Sequence, residues 1–306
     1  MRISTHPDPG LLRHCPTMVT PLPPALDGER IQINSRVGGL SYYKAGSGPP
    51  LLLIHSVNAA ASAAEVRPLH DHYSATRTVF SVDLPGFGFS ERSDRAYTPA
   101  LMTEALHVMT EEISRHCGSS AVDALALSLS CEFLARAAAE APERFRSLAL
   151  ISPTGFRGEK PRRGPPGSTL HMPWLLAALR GPGWGAAVFR GLTRPAVIRF
   201  FLKKTWGSPH IDEALWRYDV LSAQQPGAEF APLHFISASM FSADIHTVYE
   251  QLKMPVWLCH GVRGDFTDYR GKTLVQDRPN WRISVFTTGA LPHFEVPAEF
   301  FALAGL

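Results

Sequence analysis

Ser128 is the residue of this chain best placed for covalent chemistry. It stands in Ala124-Leu125-Ala126-Leu127-Ser128-Leu129-Ser130, where an apolar run suited to a buried strand gives way to Cys131-Glu132-Phe133-Leu134-Ala135-Arg136-Ala137-Ala138, suited to a helix. A serine on so sharp a bend has its hydroxyl lifted clear of the backbone. The residues two before and two after it must be small, because the bend brings them almost into contact. Ala126 and Ser130 meet that demand, which makes the stretch a softened G-x-S-x-G nucleophile elbow. In the alternative register, with Ser130 as nucleophile, Glu132 would fill a small-residue position for which it is too large. The bland alternative is a serine that simply caps a helix. A serine hydroxyl attacks only when a base takes its proton and a carboxylate orients that base. The chemistry therefore requires a histidine and an acid further along the chain.

The elements around this bend follow a regular rhythm. Residues 1–29 read as an irregular leader. From Arg30 the pattern around Gly38-Gly39 is that of a hairpin. Leu51-Leu52-Leu53-Ile54-His55 and Thr78-Val79-Phe80-Ser81-Val82-Asp83 are apolar on both faces, as expected of parallel strands covered on either side. A helix from about Pro99 to His116, the elbow strand and its helix, and Ser147-Leu148-Ala149-Leu150-Ile151-Ser152 continue the alternation. Strands alternating with helices predict an α/β architecture, a mostly parallel sheet with helices on both faces. The rhythm breaks after Gly155. Residues 156–250 hold Trp174, Trp184, Phe189, Phe200, Phe201, Trp206, Trp216 and Tyr218 among prolines and glycines, with plausible helices at 194–202 and 211–218. A structureless stretch of this length is improbable, so a helical cap over 156–250 is expected. Residues 30–155 and 251–306 then form the core, completed by Pro255-Val256-Trp257-Leu258-Cys259-His260 and Arg282-Ile283-Ser284-Val285-Phe286.

Bulk properties narrow the function classes. With 306 residues, 45% apolar content and a formal charge of +3, the chain can bury a large core, and its dispersed basic excess does not argue for nucleic acid. No apolar run approaches the ~20 residues of a membrane span. The proline-rich segment 1–24 has no apolar core of a secretory signal, so a cytoplasmic location is expected. Cys15, Cys117, Cys131 and Cys259 are scattered without a CxxC pair, which signals neither a zinc site nor a disulfide framework.

Four landmarks in order give the chain a resemblance to the α/β-hydrolase superfamily, in its cap-bearing esterase, lipase and C–C hydrolase branch. They are His55-Ser56 with a small-residue loop after it, Asp83-Leu84-Pro85-Gly86-Phe87-Gly88-Phe89-Ser90, the elbow at Ser128 with Pro142-Glu143-Arg144-Phe145 downstream, and Pro292-His293-Phe294-Glu295-Val296-Pro297. The similarity spans about residues 30–306. It implies an α/β-hydrolase fold with Ser128 as nucleophile. In the family's order the acid follows the penultimate core strand, which points to Asp265 ahead of Asp268. Relatives usually read Gly-His-x-Pro-x-x-Glu after the last strand, whereas the matching stretch is Gly289-Ala290-Leu291-Pro292-His293-Phe294-Glu295. Alanine takes the usual histidine position, and His293 is the nearest replacement, expected three residues along on the same helix face. His55 maps to a structural histidine beside the oxyanion loop, and His260 is a weaker candidate base. The oxyanion donors map to the backbone N–H groups of Val57 and Leu129, with Asn58 and Ser62 as further polar contacts.

The expected activity is hydrolysis of an ester or related acyl substrate through an acyl-enzyme, with no cofactor and no metal, under a cap that favours apolar or aromatic groups. C–C bond hydrolysis by the same triad is the alternative. A binding protein on a degenerate site is the non-enzyme alternative, motivated by Ser56, Ala126, Ser130 and Ala290 departing together from the usual motifs. The expected partner is a small-molecule substrate, with no nucleic acid and no membrane, and a homodimer is the assembly open to it.

Overall fold

The computed structural model describes residues 20–119, 121–181 and 184–305. A hairpin comes first, with β1 (Glu29–Ser35) and β2 (Gly38–Ala45) antiparallel across the turn at Arg36-Val37. The chain then alternates β3 (Pro50–Ile54), α1 (Arg67–Tyr73), β4 (Thr78–Asp83), α2 (Pro99–Cys117), β5 (Val122–Leu127), α3 (Ser130–Glu140) and β6 (Phe145–Ile151). An inserted segment carries α4 (Pro173–Leu179), α5 (Trp184–Leu192), α6 (Pro195–Trp206), α7 (Glu213–Ala223), α8 (Phe230–Ile236) and α9 (Ile245–Gln251). The chain returns as β7 (Val256–Gly261), β8 (Trp281–Phe286), α10 (Pro292–Glu295) and α11 (Pro297–Ala304). The eight strands form one sheet ordered β1-β2-β4-β3-β5-β6-β7-β8. It is antiparallel at β1/β2 and β2/β4 and parallel elsewhere, which is the expected α/β class.

Period-two alternation explains why the inner strands read as continuous apolar runs. Leu52, Ile54, Ala124, Ala126, Leu148 and Leu150 face one core, shared with α2, α3 and α9. Leu51, Leu53, Leu125, Leu127, Ala149 and Ile151 face the other, which contains Leu69 of α1 and Phe300 of α11. Both faces are dry, so neither needs a polar residue. Local signals set the ends. α2 starts where Thr98 Oγ1 accepts the Leu101 N–H at 3.2 Å with Pro99 as the next residue, and it stops at Gly118, whose φ of 62° suits glycine.

Three features of the periphery depart from or refine the sequence expectations. Residues 20–28 are irregular but packed, with Leu22 and Leu26 buried, the Ala25 N–H donating to Tyr43 Oη at 2.9 Å and Tyr218 Oη donating to the Pro23 carbonyl at 2.9 Å. Residues 1–19, the rest of the expected leader, lie outside the described residues. In the insertion the β-structure among the described residues is an isolated bridge, Thr169 to Ser242, and α9 packs on α3 with Ile245, Val248 and Tyr249 in the core. The later part of the inserted segment thus also contributes to the core beside the sheet, with Ala231 and Met240 in the same cluster. The cap aromatics divide. Phe189, Trp206 and Tyr218 are buried, while Trp174, Trp184, Phe200 and Phe201 are exposed, so the stripe is only partly a wall facing inward.

Candidate active site

The bend after β5 has the geometry that its small neighbours anticipate. Ser128 has φ 52°, in the left-handed region, where a non-glycine residue is strained by about 1–2 kcal/mol. The Ser128 N–H donates to the Ile151 carbonyl at 2.8 Å, and its carbonyl accepts the Cys131 N–H at 3.1 Å, which pins the turn from both sides. Ala126 and Ser130 are wholly buried while Ser128 is half-buried. Leu129 is the N-terminal cap of the 11-residue α3, and the positive end of that helix points at the bend. Glu132, one turn on, is buried and ties two crossing segments together: it accepts from Thr154 Oγ1 at 2.5 Å and from the Ser242 N–H at 2.8 Å.

The expected oxyanion donors follow two strands that pair side by side. Ile54 of β3 pairs with Ala126 of β5, and Val57 and Leu129 each follow three residues later. The two side chains share one apolar cluster, and neither N–H donates to a protein acceptor among the described residues. The loop between them and the cap is braced by buried acids. Asp83 accepts from the Ala63 N–H at 2.8 Å and the Phe89 N–H at 3.0 Å, and burial pushes its carboxyl up to about 6. A Cβ at Gly88, whose φ is 50°, would lie 2.0 Å from that carboxyl group, and one at Gly86, whose φ is 88°, would lie 2.5 Å from Ala231 Cβ, so the two glycines answer two different close approaches of the loop. Glu65 accepts from the Ser56 N–H at 2.7 Å and from Asn58 Nδ2 at 2.6 Å. Its part in the site was not anticipated from sequence, although a lone acid within Ala59-Ala60-Ala61-Ser62-Ala63-Ala64-Glu65-Val66 was a readable anomaly.

The expected base and acid are elsewhere engaged. Ala290 stands at the carboxyl edge of the sheet: its carbonyl accepts from Ser152 Oγ at 2.7 Å, and its N–H donates to the Thr205 carbonyl at 2.9 Å. Ser152 follows Ile151, the hydrogen-bond partner of Ser128, so a methyl group occupies the level of the sheet edge where an imidazole was expected. His293 does not share a helix face with residue 290. α10 begins only at Pro292, and Leu291 before it has φ −122° and ψ 68°, so the helical spacing does not extend back to Ala290. The His293 ring is fully buried, with Nε2 3.0 Å from the Glu65 carbonyl and Nδ1 without a partner among the described residues. A carbonyl can only accept, so Nε2 carries the proton. Burial pushes His293 down to about 4. Asp265 lies in an exposed loop with its carboxylate 3.4 Å from Lys204 Nζ. Asp268 bonds to Arg270, which holds it well below the usual carboxylate range, and accepts the Gly158 N–H. No hydrogen bond among the described residues joins Ser128, His293 and Asp265.

The other two histidines at the sheet edge are also committed. His55 Nε2 accepts the Leu84 N–H at 2.9 Å, so Nδ1 is protonated and donates to the Ser56 carbonyl at 2.5 Å. Burial pushes this ring down to about 4, in keeping with a brace. His260 stacks on Tyr269 at 4.0 Å, with Nδ1 2.8 Å from the Gly261 carbonyl and Nε2 3.1 Å from Lys272 Nζ.

The inserted helices pack on the loop after β3, where Ala60 meets Phe189, Ile198, Ala223 and Ala228. A cleft of about 440 Å³ between α5, α6 and α7 shares Phe189 and Ala223 with that cluster and is rimmed by Arg190, Arg194, Gln225 and Glu229. Among the described residues no group of three or more His, Cys, Asp and Glu is placed to hold a metal ion, no disulfide forms, and no helix is long and apolar enough to cross a membrane.

Comparison with known proteins agrees with this geometry at the level of fold. Residues 49–193 match the family model described as alpha/beta hydrolase fold. A carboxylesterase from Bacillus subtilis superposes with a TM-score of 0.64 at 18% identity, covering 92% of this chain and 93% of its own. A 2-hydroxy-6-oxo-6-phenylhexa-2,4-dienoate hydrolase from Rhodococcus superposes with a TM-score of 0.67 at 19% identity, covering 90% and 97%. A thermophilic esterase from Thermogutta terrifontis gives 0.68 at 15% identity, covering 90% and 97%. No curated protein matches the chain in sequence.

Proposed function

The chain carries the α/β-hydrolase fold, and on that premise we propose that it is a serine hydrolase of slow turnover acting on an acyl substrate, an ester or a close equivalent. Ser128 Oγ forms the bond to the carbonyl carbon, and the oxyanion is received by the N–H groups of Leu129 and Val57. The leaving group departs with a proton, and water then releases the acyl group from Ser128. The observation that carries this reading is the strained φ of 52° at a half-buried serine. Glycine would make the same turn without strain, and the hydroxyl is what a serine adds there. The hydroxyl proton leaves to water or to the leaving group, since no hydrogen bond among the described residues joins Ser128 to His293, and Asp265 is turned to Lys204. Elbow and oxyanion donors without a functioning triad still provide roughly 10³–10⁴-fold acceleration over water. Substrates with good leaving groups are therefore favoured.

A fluorophosphonate probe followed by peptide mapping tests this. Labelling is expected on Ser128 at a slow rate and is expected to vanish in Ser128→Ala. The second reading is a ligand-binding protein that uses the donors of the site without chemistry. The methyl group of Ala290 at the sheet edge favours it, and absence of labelling together with tight binding of a carboxylic acid would support it over the first.

A further inference from the structure

We infer that Glu65 is the positioning residue that aims the oxyanion loop, and that His293 serves by holding Glu65 in place rather than by activating Ser128; the inference rests on the reading of Val57 as an oxyanion donor. Glu65 spans that donor. One carboxylate oxygen takes the N–H of Ser56, the residue before Val57, at 2.7 Å, and the other takes the side-chain amide of Asn58, the residue after it, at 2.6 Å. Asn58 in turn accepts the Ala60 N–H on its Oδ1 at 2.8 Å and donates to Ser56 Oγ at 3.1 Å. The two flanks of Val57 are thus fixed by one side chain, which leaves the Val57 N–H free to point at a ligand. A loop with serine at 56, where relatives have glycine, needs such fixing because its backbone has fewer relaxed conformations.

His293 completes the arrangement from the opposite side. Its Nε2–H donates to the carbonyl of Glu65 at 3.0 Å, so the imidazole fixes the backbone of the residue whose carboxylate fixes the loop. Phe294 and Phe300 pack on the ring at centroid distances of 4.9 and 5.9 Å, which holds it in that direction. Asp219 of α7 is the cap's ionisable group facing Glu65, and its Oδ1 has no partner among the described residues. The acid at position 65 therefore joins the loop to the last helices.

The test separates a positioning role from a base and from a purely structural contact. Labelling of Ser128 by a fluorophosphonate and hydrogen exchange of the Ser56 amide are measured in wild type, Glu65→Gln, Glu65→Ala, His293→Ala and His293→Gln. Glutamine at 65 keeps the volume but offers one acceptor for two donors. The expected result is a labelling rate about tenfold lower in Glu65→Gln and about 100-fold lower in Glu65→Ala, with Ser56 exchange faster in the same order. His293→Ala should lose several-fold in labelling, and His293→Gln, whose amide donates but cannot take a proton, should recover most of it. Failure of His293→Gln to recover overturns the assignment in favour of a base. Faster Ser56 exchange with unchanged labelling reduces Glu65 to a structural residue, and unchanged exchange in Glu65→Ala overturns the loop contact itself. If wild type does not label at Ser128 at all, the hydrolase reading fails, and the exchange arm alone decides whether Glu65 holds the loop.

Discussion

At Ser128 the backbone and the side chain favour different residues. The backbone, at φ 52°, favours glycine, and the chemistry requires a hydroxyl. Ser128→Gly should therefore be more stable than Ser128→Ala by about 1 kcal/mol, read as a higher midpoint in urea, while both lose labelling. The strained bend was legible because its constraint is local: Ala126, Ser130 and the bulk of Glu132 fix the register. The relation of residue 293 to residue 290 was not, because it depends on where a helix starts. Pro292 marks the start of α10, and non-helical Leu291 before it removes the shared face that would have linked residues 290 and 293. Restoring the family residue tests this at the same scale. Ala290→His should raise the Ser128 labelling rate at least about tenfold, and no change would mean that an imidazole at 290 does not reach the serine.

Among the elements, strands and core helices were legible because burial on two faces leaves a strong apolar signature, as in Leu51–Ile54 and Leu148–Ile151. The cap was legible only as helical. Aromatic residues at helical spacing do not reveal which face is covered, and Trp174 and Trp184 turn outward. The contact of α7 with the loop below it was invisible for another reason: Asp219 and Glu65 are distant in sequence and alike in charge. Burial, with Glu65 nearby, raises Asp219 well above its ordinary 3.8. An acid with a raised folded value binds a proton that the unfolded chain has lost, so its penalty is absent below about pH 4 and grows as pH rises toward the folded value. Asp219→Asn should then stabilise the protein more at pH 8 than at pH 4.5, measured by thermal unfolding. Equal effects at both values would mean that Asp219 is solvated or paired.

For the whole molecule, histidines and acids act on stability with opposite signs. His55 and His293 are each pushed down to about 4. Between the ordinary value near 6.5 and that point, the unfolded chain binds protons that the folded one refuses, so stability falls as pH drops from about 6.5 to 4. Asp83 and Asp219 lose stability in the other direction. A maximum at neutral to mildly acidic pH is expected, and His293→Gln should flatten the acid side; an unchanged acid limb in that variant would show that the ring is not buried neutral. The same neutral state bears on function: the His293 ring keeps an unpartnered Nδ1, but no hydrogen bond among the described residues joins it to Ser128. The measurement that bears most directly on the central claim is the intact mass and peptide map of the protein after prolonged fluorophosphonate treatment. One adduct on the peptide containing Ser128, formed slowly in wild type, faster in Ala290→His and absent in Ser128→Ala, is the predicted result. An adduct elsewhere, or none in either wild type or Ala290→His, would contradict it.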